Sequence, residues 1–283
     1  MNSLTRQITR VDPTIIDTDI KRALEEDIGA ADVTAQLIPV EKKHAAVVVR
    51  EAAVLCGTAW FEAVFLALDP GCQITWHKQD GERINQNDIV CDIDCQSREL
   101  LTAERSALNF LQTLSATATL TAQYVDAIKD TPCKVLDTRK TIPGLRMAQK
   151  FAVHCGGGIN HRSGLHDMIL IKENHITAAG SISDAVKKAI ALQSDLPIEV
   201  EIETIEELTE ALSAGVKRIL LDNMPVKTLT EAVKLNNGQA TLEASGNITL
   251  DNIVNIAQTG VDFISLGALT KNVRAIDFSL GIK

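Results

Sequence analysis

Hydrophobic and polar positions along the chain follow two regimes, and the change comes near residue 130. In the first regime "DTDIKRALEED" spaces its apolar residues at helical intervals with charge on the other face, which predicts an amphipathic helix. "TAWFEAVFLAL" is apolar on nearly every side, as a buried helix is, and the turn signal "DPG" closes it. "HAAVVVRE" and "NDIVCDIDC" read as short strands. A long helical pattern then runs from "ELLTAERSALNFLQTLSATATL" to about Lys129 without an internal glycine or proline. These elements predict a small α+β arrangement followed by one long helix.

From Cys133 the texture becomes regular. Six apolar runs recur: "CKVLDTR", "MILIK", "IEVEIE", "RILLD", "TLEASG" and "FISLG". Helical segments separate the later ones, namely "ISDAVKKAIALQ", "IEELTEALSAG", "VKTLTEAVKLNNG" and "LDNIVNIAQTG", and several stop at glycine. Strand and helix alternating in this way predict a parallel α/β sheet or barrel. Six strands fall short of a closed eightfold barrel. Each strand ends on a polar or glycine position: Asp137 and Arg139, Lys172, Glu201 with Glu203, Asp222, Ser245 with Gly246, and Gly267. In a parallel barrel those ends share one rim, where active sites are built.

Composition sharpens this picture at one place. The 283-residue chain is 45% hydrophobic and 23% charged, as ordinary globular proteins are, and long enough for one large core or two modest ones. No 18-residue apolar run is present, and the first residues lack an apolar signal core, so a cytoplasmic protein is expected. A net charge of −9 argues against general nucleic-acid binding. Against that acidic background, residues 137–175 carry Arg139, Lys140, Arg146, Lys150, Arg162 and Lys172 with only Asp137, Asp167 and Glu173, a local balance of about +3. Four of the six histidines (His154, His161, His166, His175) lie there too. An anionic ligand is the expected partner. The six cysteines form no CxxC pair, although Cys91 and Cys95 would share one face of a strand, and plain thiols in a reducing compartment are expected.

Arg139, Arg162, Lys172 and His161 together suit a pocket for carboxylates, because a guanidinium grips a carboxylate bidentately and keeps its charge when buried. "CGGGINHR" is not GxGxxG and follows a helix rather than a strand, so a dinucleotide fold is excluded. Its glycines are expected to stop the helix "LRMAQKFAVH" and to present His161 and Arg162, the alternative being a plain linker. Glu201 and Asp222 fit either a hard cation such as Mg²⁺ or an ion pair with Lys140 or Lys172. "SGNI" and "LGALT", after the last two strands, resemble backbone cradles for phosphate.

The motifs "DTRKTIPGLR", "GGGINHRSGLHDMILIKENHI", "VEIET", "LLDNM", "LEASGNI" and "DFISLGALTK" follow in the order and spacing of quinolinate phosphoribosyltransferase, the carboxylating nicotinate-nucleotide pyrophosphorylase of NAD biosynthesis. The chain resembles that family over almost its whole length, most specifically from Asp137 to His175. The resemblance implies an N-terminal α/β sandwich (residues 1–112, with the tail from about 274 to 283 packing back on it) and an open, incomplete α/β barrel (113–273). It implies transfer of phosphoribose from phosphoribosyl pyrophosphate to quinolinate with loss of CO₂, Mg²⁺ as cofactor, and a homodimer, the unit of any higher assembly, in which Arg105 reaches the neighbouring active site. Carried over by motif, Arg139, His161, Arg162 and Lys172 hold the two carboxylates. Thr138 and Lys140 sit by the substrates, with Lys140 towards the pyrophosphate. Glu201 and Asp222 face the ribose and its metal. Ser245, Gly246, Asn247, Leu266, Gly267 and Ala268 receive the 5′-phosphate. Ile142 and Asn272 depart from the family's usual threonine and histidine, outside the assigned contacts.

Three other readings compete. A ModD-like paralogue from a molybdate-transport operon would share fold and motifs but act on another anionic acceptor. A Schiff-base aldolase would use Lys172 as its amine. A non-catalytic phosphate-binding regulator would have no need of Glu201 and Asp222 together.

Overall fold

The computed structural model describes residues 7–283. The first helix, α1 (Pro13–Ile28), begins where Asp12 Oδ1 accepts the Thr14 N–H at 2.9 Å and a proline occupies the first turn. Strands β1 (Lys42–Val49) and β2 (Ala53–Val54) follow, then α2 (Thr58–Leu68), β3 (Gln73–Trp76), β4 (Arg83–Ile84), β5 (Ile89–Gln96) and the 31-residue α3 (Ser97–Ala127). Next come β6 (Lys134–Leu136), α4 (Arg146–Cys155), β7 (Ile169–Ile171), α5 (Glu173–Ala179) and α6 (Ile182–Ala191). The chain continues through β8 (Ile198–Ile202), α7 (Ile205–Ser213), β9 (Arg218–Asp222), α8 (Val226–Asn236), β10 (Thr241–Ser245), α9 (Ile253–Ala257), β11 (Phe263–Ser265), α10 (Ala268–Lys271) and β12 (Phe278–Ile282).

Two compact units result, and neither is contiguous in sequence. One comprises Ile8–Ala122, Thr141–Gly157 and Ala268–Lys283. Its four-stranded antiparallel sheet has the order β12-β1-β5-β3. The last strand thus returns to the first, with Val49 opposite Phe278 and Ala45 opposite Ile282. The core is aromatic and aliphatic: Trp60, Phe61 and Phe65 of α2 and Leu108, Leu111 and Leu114 of α3 pack with Val47, Cys91 and Ile93 of the sheet. Cys91 and Cys95 are both buried two pleats apart on β5, as their spacing predicts. Burying the three aromatic rings of α2 in this small unit supplies much of its stability.

The other unit comprises Gln7, Gln123–Lys140 and Gly158–Gly267. Its sheet is wholly parallel, in the order β6-β11-β10-β9-β8-β7, so the six strands expected from the apolar runs are the six observed. β6 and β7 stand at opposite edges, which leaves the barrel open. The helices between strands start on designed caps: Ser181 Oγ accepts the Asp184 N–H, and Thr204 with Glu207 closes a capping box. One sheet face is apolar, with Val200, Ile202, Ile219, Leu221, Leu242 and Ala244 buried. The alternate positions of the same strands carry Glu199, Glu201, Arg218, Asp222, Glu243 and Ser245. A strand with period two can serve a hydrophobic layer and a polar interior at once. Strand β8 stops at Ile202, so Glu203 lies beyond it, exposed, with its N–H on Glu207.

The returning strand makes a checkable stability claim. Phe278 is 3% exposed in the core against β1, and Phe278→Ala should cost about 3 to 5 kcal/mol by lost burial and a residual cavity. Urea unfolding followed by far-UV circular dichroism measures this; a loss under about 1 kcal/mol would mean that β12 contributes little to the unit.

Candidate active site

Because the sheet is parallel, the polar strand ends fall along one edge. Asp137 follows β6 directly and is fully buried. Its Oδ2 accepts from Asn160 Nδ2 at 2.8 Å and its Oδ1 accepts the His161 N–H at 2.8 Å. This one carboxylate therefore fastens the loop after the glycine run to the end of β6. Arg162 is held in turn: its N–H donates to His161 Nδ1 at 2.7 Å and its Nη1 to the Met168 carbonyl at 3.3 Å. The loop thus presents Arg162 from a fixed backbone rather than acting as a linker.

Arg139 and Arg162 face the same space. Burial lowers the pKa of Arg162, the positive charge of Arg139 lowers it further, and Asp167, Glu199 and Glu201 pull the other way. Such an approach of like charges is characteristic of a site built for an anion. Lys172, just past β7, ion-pairs with Glu201 of β8, one of the partners the sequence leaves open for this carboxylate. Lys140 is exposed, and its N–H donates to Thr138 Oγ1 at 3.0 Å. Arg105 belongs to the other compact unit and is exposed on α3.

At the next pair of strands, Asp222 accepts from Ser245 Oγ and, at 2.8 Å, from Asn223 Nδ2. Asn223, Gly246 and Asn247 all have positive φ (54°, 94° and 52°). A Cβ on Gly246 would stand 2.1 Å from Asn223 Oδ1, so only glycine fits there. Asn247 Nδ2 donates to Asn223 Oδ1 at 3.1 Å, which ties the two turns together. Gly267 is similarly close to Lys140, whose Cδ lies 2.9 Å from where a Cβ would be. One assignment needs correction: the Leu266 N–H donates to the Leu136 carbonyl at 2.9 Å and its side chain is 2% exposed. Its donor belongs to the sheet ladder and is not free to receive a phosphate.

Below the rim lies a cluster that the motifs did not single out. His161 Nε2 is 2.9 Å from Glu199 and 3.4 Å from Glu243. Arg218 Nε is 3.4 Å from Glu199 and Arg218 Nη2 3.6 Å from Glu243. All four residues are buried. Burial alone would lower the pKa of His161, but Glu243 and Glu199 outweigh it and push it up to about 10. Burial and the neighbouring Glu199 raise that of Glu243. Burial likewise acts to raise Glu199, yet His161 and Arg218 hold it below the usual carboxylate range. His161, Glu199 and Glu243 also form a set with metal-ligand spacing. Arg218 already faces both carboxylates, and a second cation there would meet its charge. Glu199, Arg218 and Glu243 were legible in principle as charges at alternate positions of strands whose other residues are apolar; Asn160 and Asn223 carried no comparable signal.

The sequence profile described as "Quinolinate phosphoribosyl transferase, N-terminal domain" matches residues 32–115, and that of the C-terminal domain matches residues 117–281. The chain is 43% identical over 259 residues to the probable nicotinate-nucleotide pyrophosphorylase [carboxylating] of Bacillus subtilis, covering 91% of this chain and 90% of the relative. It is 40% identical to the nicotinate-nucleotide pyrophosphorylase [carboxylating] of Mycobacterium leprae, covering 93% and 95%. The solved nicotinate-nucleotide pyrophosphorylase of Francisella tularensis superposes with a TM-score of 0.97 at 46% identity, over 99% of this chain and all of that one. An anion pocket at the strand ends and these likenesses along nearly the whole chain lead to one conclusion: the protein belongs to the quinolinate phosphoribosyltransferase family.

Proposed function

We propose that the protein transfers phosphoribose from phosphoribosyl pyrophosphate to quinolinate and releases CO₂, forming nicotinate mononucleotide and pyrophosphate. The observation that carries this reading is that Arg139 and Arg162 act on each other at the rim, where Glu201 is shared between Arg162 and Lys172, a cation set that a single carboxylate does not require. Quinolinate brings two adjacent carboxylates. Removing each from water costs several kcal/mol (about that much per ion), so more than one cation must receive them. Arg139, His161, Arg162 and Lys172 take them, with Arg105 supplied by a second copy in a homodimer. Lys140 faces the departing pyrophosphate, and Thr138, which accepts the Lys140 N–H, sets the lysine's backbone. Ser245, Gly246, Asn247, Gly267 and Ala268 surround the 5′-phosphate.

The reaction balances without a protein nucleophile. The pyridine nitrogen forms a bond to ribose C1, the C1–oxygen bond breaks, and pyrophosphate leaves with the electron pair. Glu201 and Asp222 steady positive charge that develops at C1. The C2–carboxylate bond then breaks towards the cationic ring, CO₂ departs, and the ring carbon takes a proton. Catalysis rests on positioning and electrostatics. Glu201 and Asp222 offer two carboxylates at the rim, one ion-paired and one hydrogen-bonded. That sparse donor set fits Mg²⁺ carried in largely by phosphate oxygens. When bound, the ion would neutralise charge on the pyrophosphate. The ion pair of Lys172 with Glu201 disfavours a Schiff-base role, which needs a free amine. Among the described residues no helix is long and apolar enough to cross a membrane, in keeping with a cytoplasmic enzyme.

Incubation with quinolinate, phosphoribosyl pyrophosphate and Mg²⁺ should yield nicotinate mononucleotide and CO₂, and nicotinate should not replace quinolinate. No turnover by folded dimer would instead favour a paralogue acting on another anionic acceptor. Arg139→Ala and Arg162→Ala should each lower kcat/KM for quinolinate by about a hundredfold or more without unfolding the protein. Unchanged quinolinate affinity in both would remove the pocket assignment. Mixing inactive Arg105→Ala with inactive Lys172→Ala subunits should restore part of the activity through hybrid dimers, and no recovery despite demonstrated subunit exchange would rule out the shared site.

A further inference from the structure

Phosphoribosyl pyrophosphate is anionic at both ends, and the groups proposed for those ends lie on two separate stretches of chain. Lys140 follows β6, whereas Gly267 and Ala268 follow β11. At both stretches the chain passes from one compact unit to the other, between Lys140 and Thr141 and between Gly267 and Ala268. On the strand side they are joined by the pairing of β6 with β11, in which Leu136 stands opposite Ser265. On the other side neither stretch belongs to a sheet, so strand pairing cannot fix one against the other there.

Gln149 of α4 makes the tie instead. It is fully buried, and all its partners lie in its own unit. Its Oε1 accepts the Ile142 N–H at 2.8 Å. Its Nε2 donates to the Thr270 carbonyl of α10 at 2.8 Å and to Thr117 Oγ1 of α3 at 3.4 Å. Ile142 lies two residues after Lys140, and Thr270 two residues after Ala268. Because both close partners are backbone groups, the amide holds the path of the chain and not particular side chains. The first stretch is stiff in its own right. The Ile142 carbonyl accepts the Leu145 N–H at 3.2 Å across Pro143 and Gly144, and Gly144 has φ 86°, as a type II turn requires. Arg146 Nε also donates to Thr141 Oγ1 at 3.2 Å. A primary amide is costly to bury unless its oxygen and nitrogen are both paired, and here they are paired to the two stretches that need joining.

We infer that Gln149 is a positioning residue for phosphoribosyl pyrophosphate: by bridging the Ile142 and Thr270 backbones it sets the span between the Lys140 stretch, which meets the pyrophosphate, and the turn at Gly267 and Ala268, which meets the 5′-phosphate. Buried as it is, the amide touches no substrate and acts through the two backbones. Its effect depends on a ligand that engages both stretches at once. Such a ligand gains from a span that matches its own length, and a ligand with only one of the two ends gains nothing from it. A misplaced end also forfeits alignment of the bond that must break at ribose C1. Quinolinate is held by Arg139, His161, Arg162 and Lys172, all on the strand side of the crossings, so its affinity does not depend on the tie. The inference rests on the substrate reading given above and extends it to a residue outside the site.

The test measures equilibrium binding to the full-length protein by titration calorimetry, without turnover. Gln149→Met keeps the length of the side chain and removes its amide. Its dissociation constant for phosphoribosyl pyrophosphate should rise about tenfold or more, whereas those for inorganic pyrophosphate, ribose 5-phosphate and quinolinate should each stay within about threefold. Gln149→Asn, whose amide is too short to reach both backbones, should show the same selective loss. Unchanged affinity for phosphoribosyl pyrophosphate would overturn the inference. So would parallel losses for all four ligands, because general damage to the fold does not distinguish a two-ended ligand from its parts. If neither variant folds, the wild-type protein decides. Ribose 5-phosphate, which supplies the 5′-phosphate alone, should slow hydrogen exchange of the Ile142 amide by about threefold or more through the bridge. An unaltered exchange rate at Ile142 would overturn the inference. Failure of the wild-type protein to bind phosphoribosyl pyrophosphate would overturn the substrate reading and the inference with it, whereas wild-type binding without selective loss in the variants would overturn the inference alone.

Discussion

Arg139 and Arg162 are brought to one half-buried place against their mutual repulsion, and much of the catalytic unit is arranged around that constraint. Like charges held close in a partly buried place repel, so other groups nearby must offset them. The offsets are visible. Asp137 anchors the loop behind the pocket, Asp167 and Glu201 supply opposing charge, and Lys172 is held back by Glu201.

The parallel sheet makes this possible by dividing labour between its faces. Alternate residues of β8, β9 and β10 feed an apolar layer, and the remaining ones build a polar interior in two levels. The lower level, with Glu199, Arg218 and Glu243, is buried, and the upper one, with Glu201, Asp222 and Ser245, is partly exposed. Replacement of buried ionic groups by apolar residues is often harmless to stability, so a buried Glu–His–Arg–Glu set is better understood as a device for orientation than as a source of folding energy. Its cost is borne by the apolar face of the same strands.

Backbone conformation adds a second kind of constraint at the phosphate side. Asn223, Gly246 and Asn247 adopt left-handed φ within one small region, and Gly246 approaches Asn223 too closely for any side chain. Conformations of that sort are unfavourable for most residues, and they place peptide groups where a strand could not. Asp222, Ser245 and Asn223 are linked by hydrogen bonds, so the two turns hold each other.

What the sequence by itself determined was periodic or chemical. The six parallel strands were legible because each is a short apolar run between amphipathic helices. The anion site was legible because Arg139, Arg162 and Lys172 depart from an acidic background and stand at strand ends. Individual residues with distinctive chemistry at predictable edges can be read in this way. The tertiary structure alone decided which partners those residues have. Glu201 could take a metal or a lysine, and only the spacing of β7 and β8 brings Lys172 to it. Leu266 lies in a phosphate-like motif, yet its N–H belongs to Leu136, a residue 130 positions earlier. His161 reads as one more ligand of the anion, and only the fold shows that its ring also lies against Glu199 and Glu243. Periodicity follows from local backbone geometry, which neighbouring residues control; pairing across the sheet depends on register and depth, which no local pattern records.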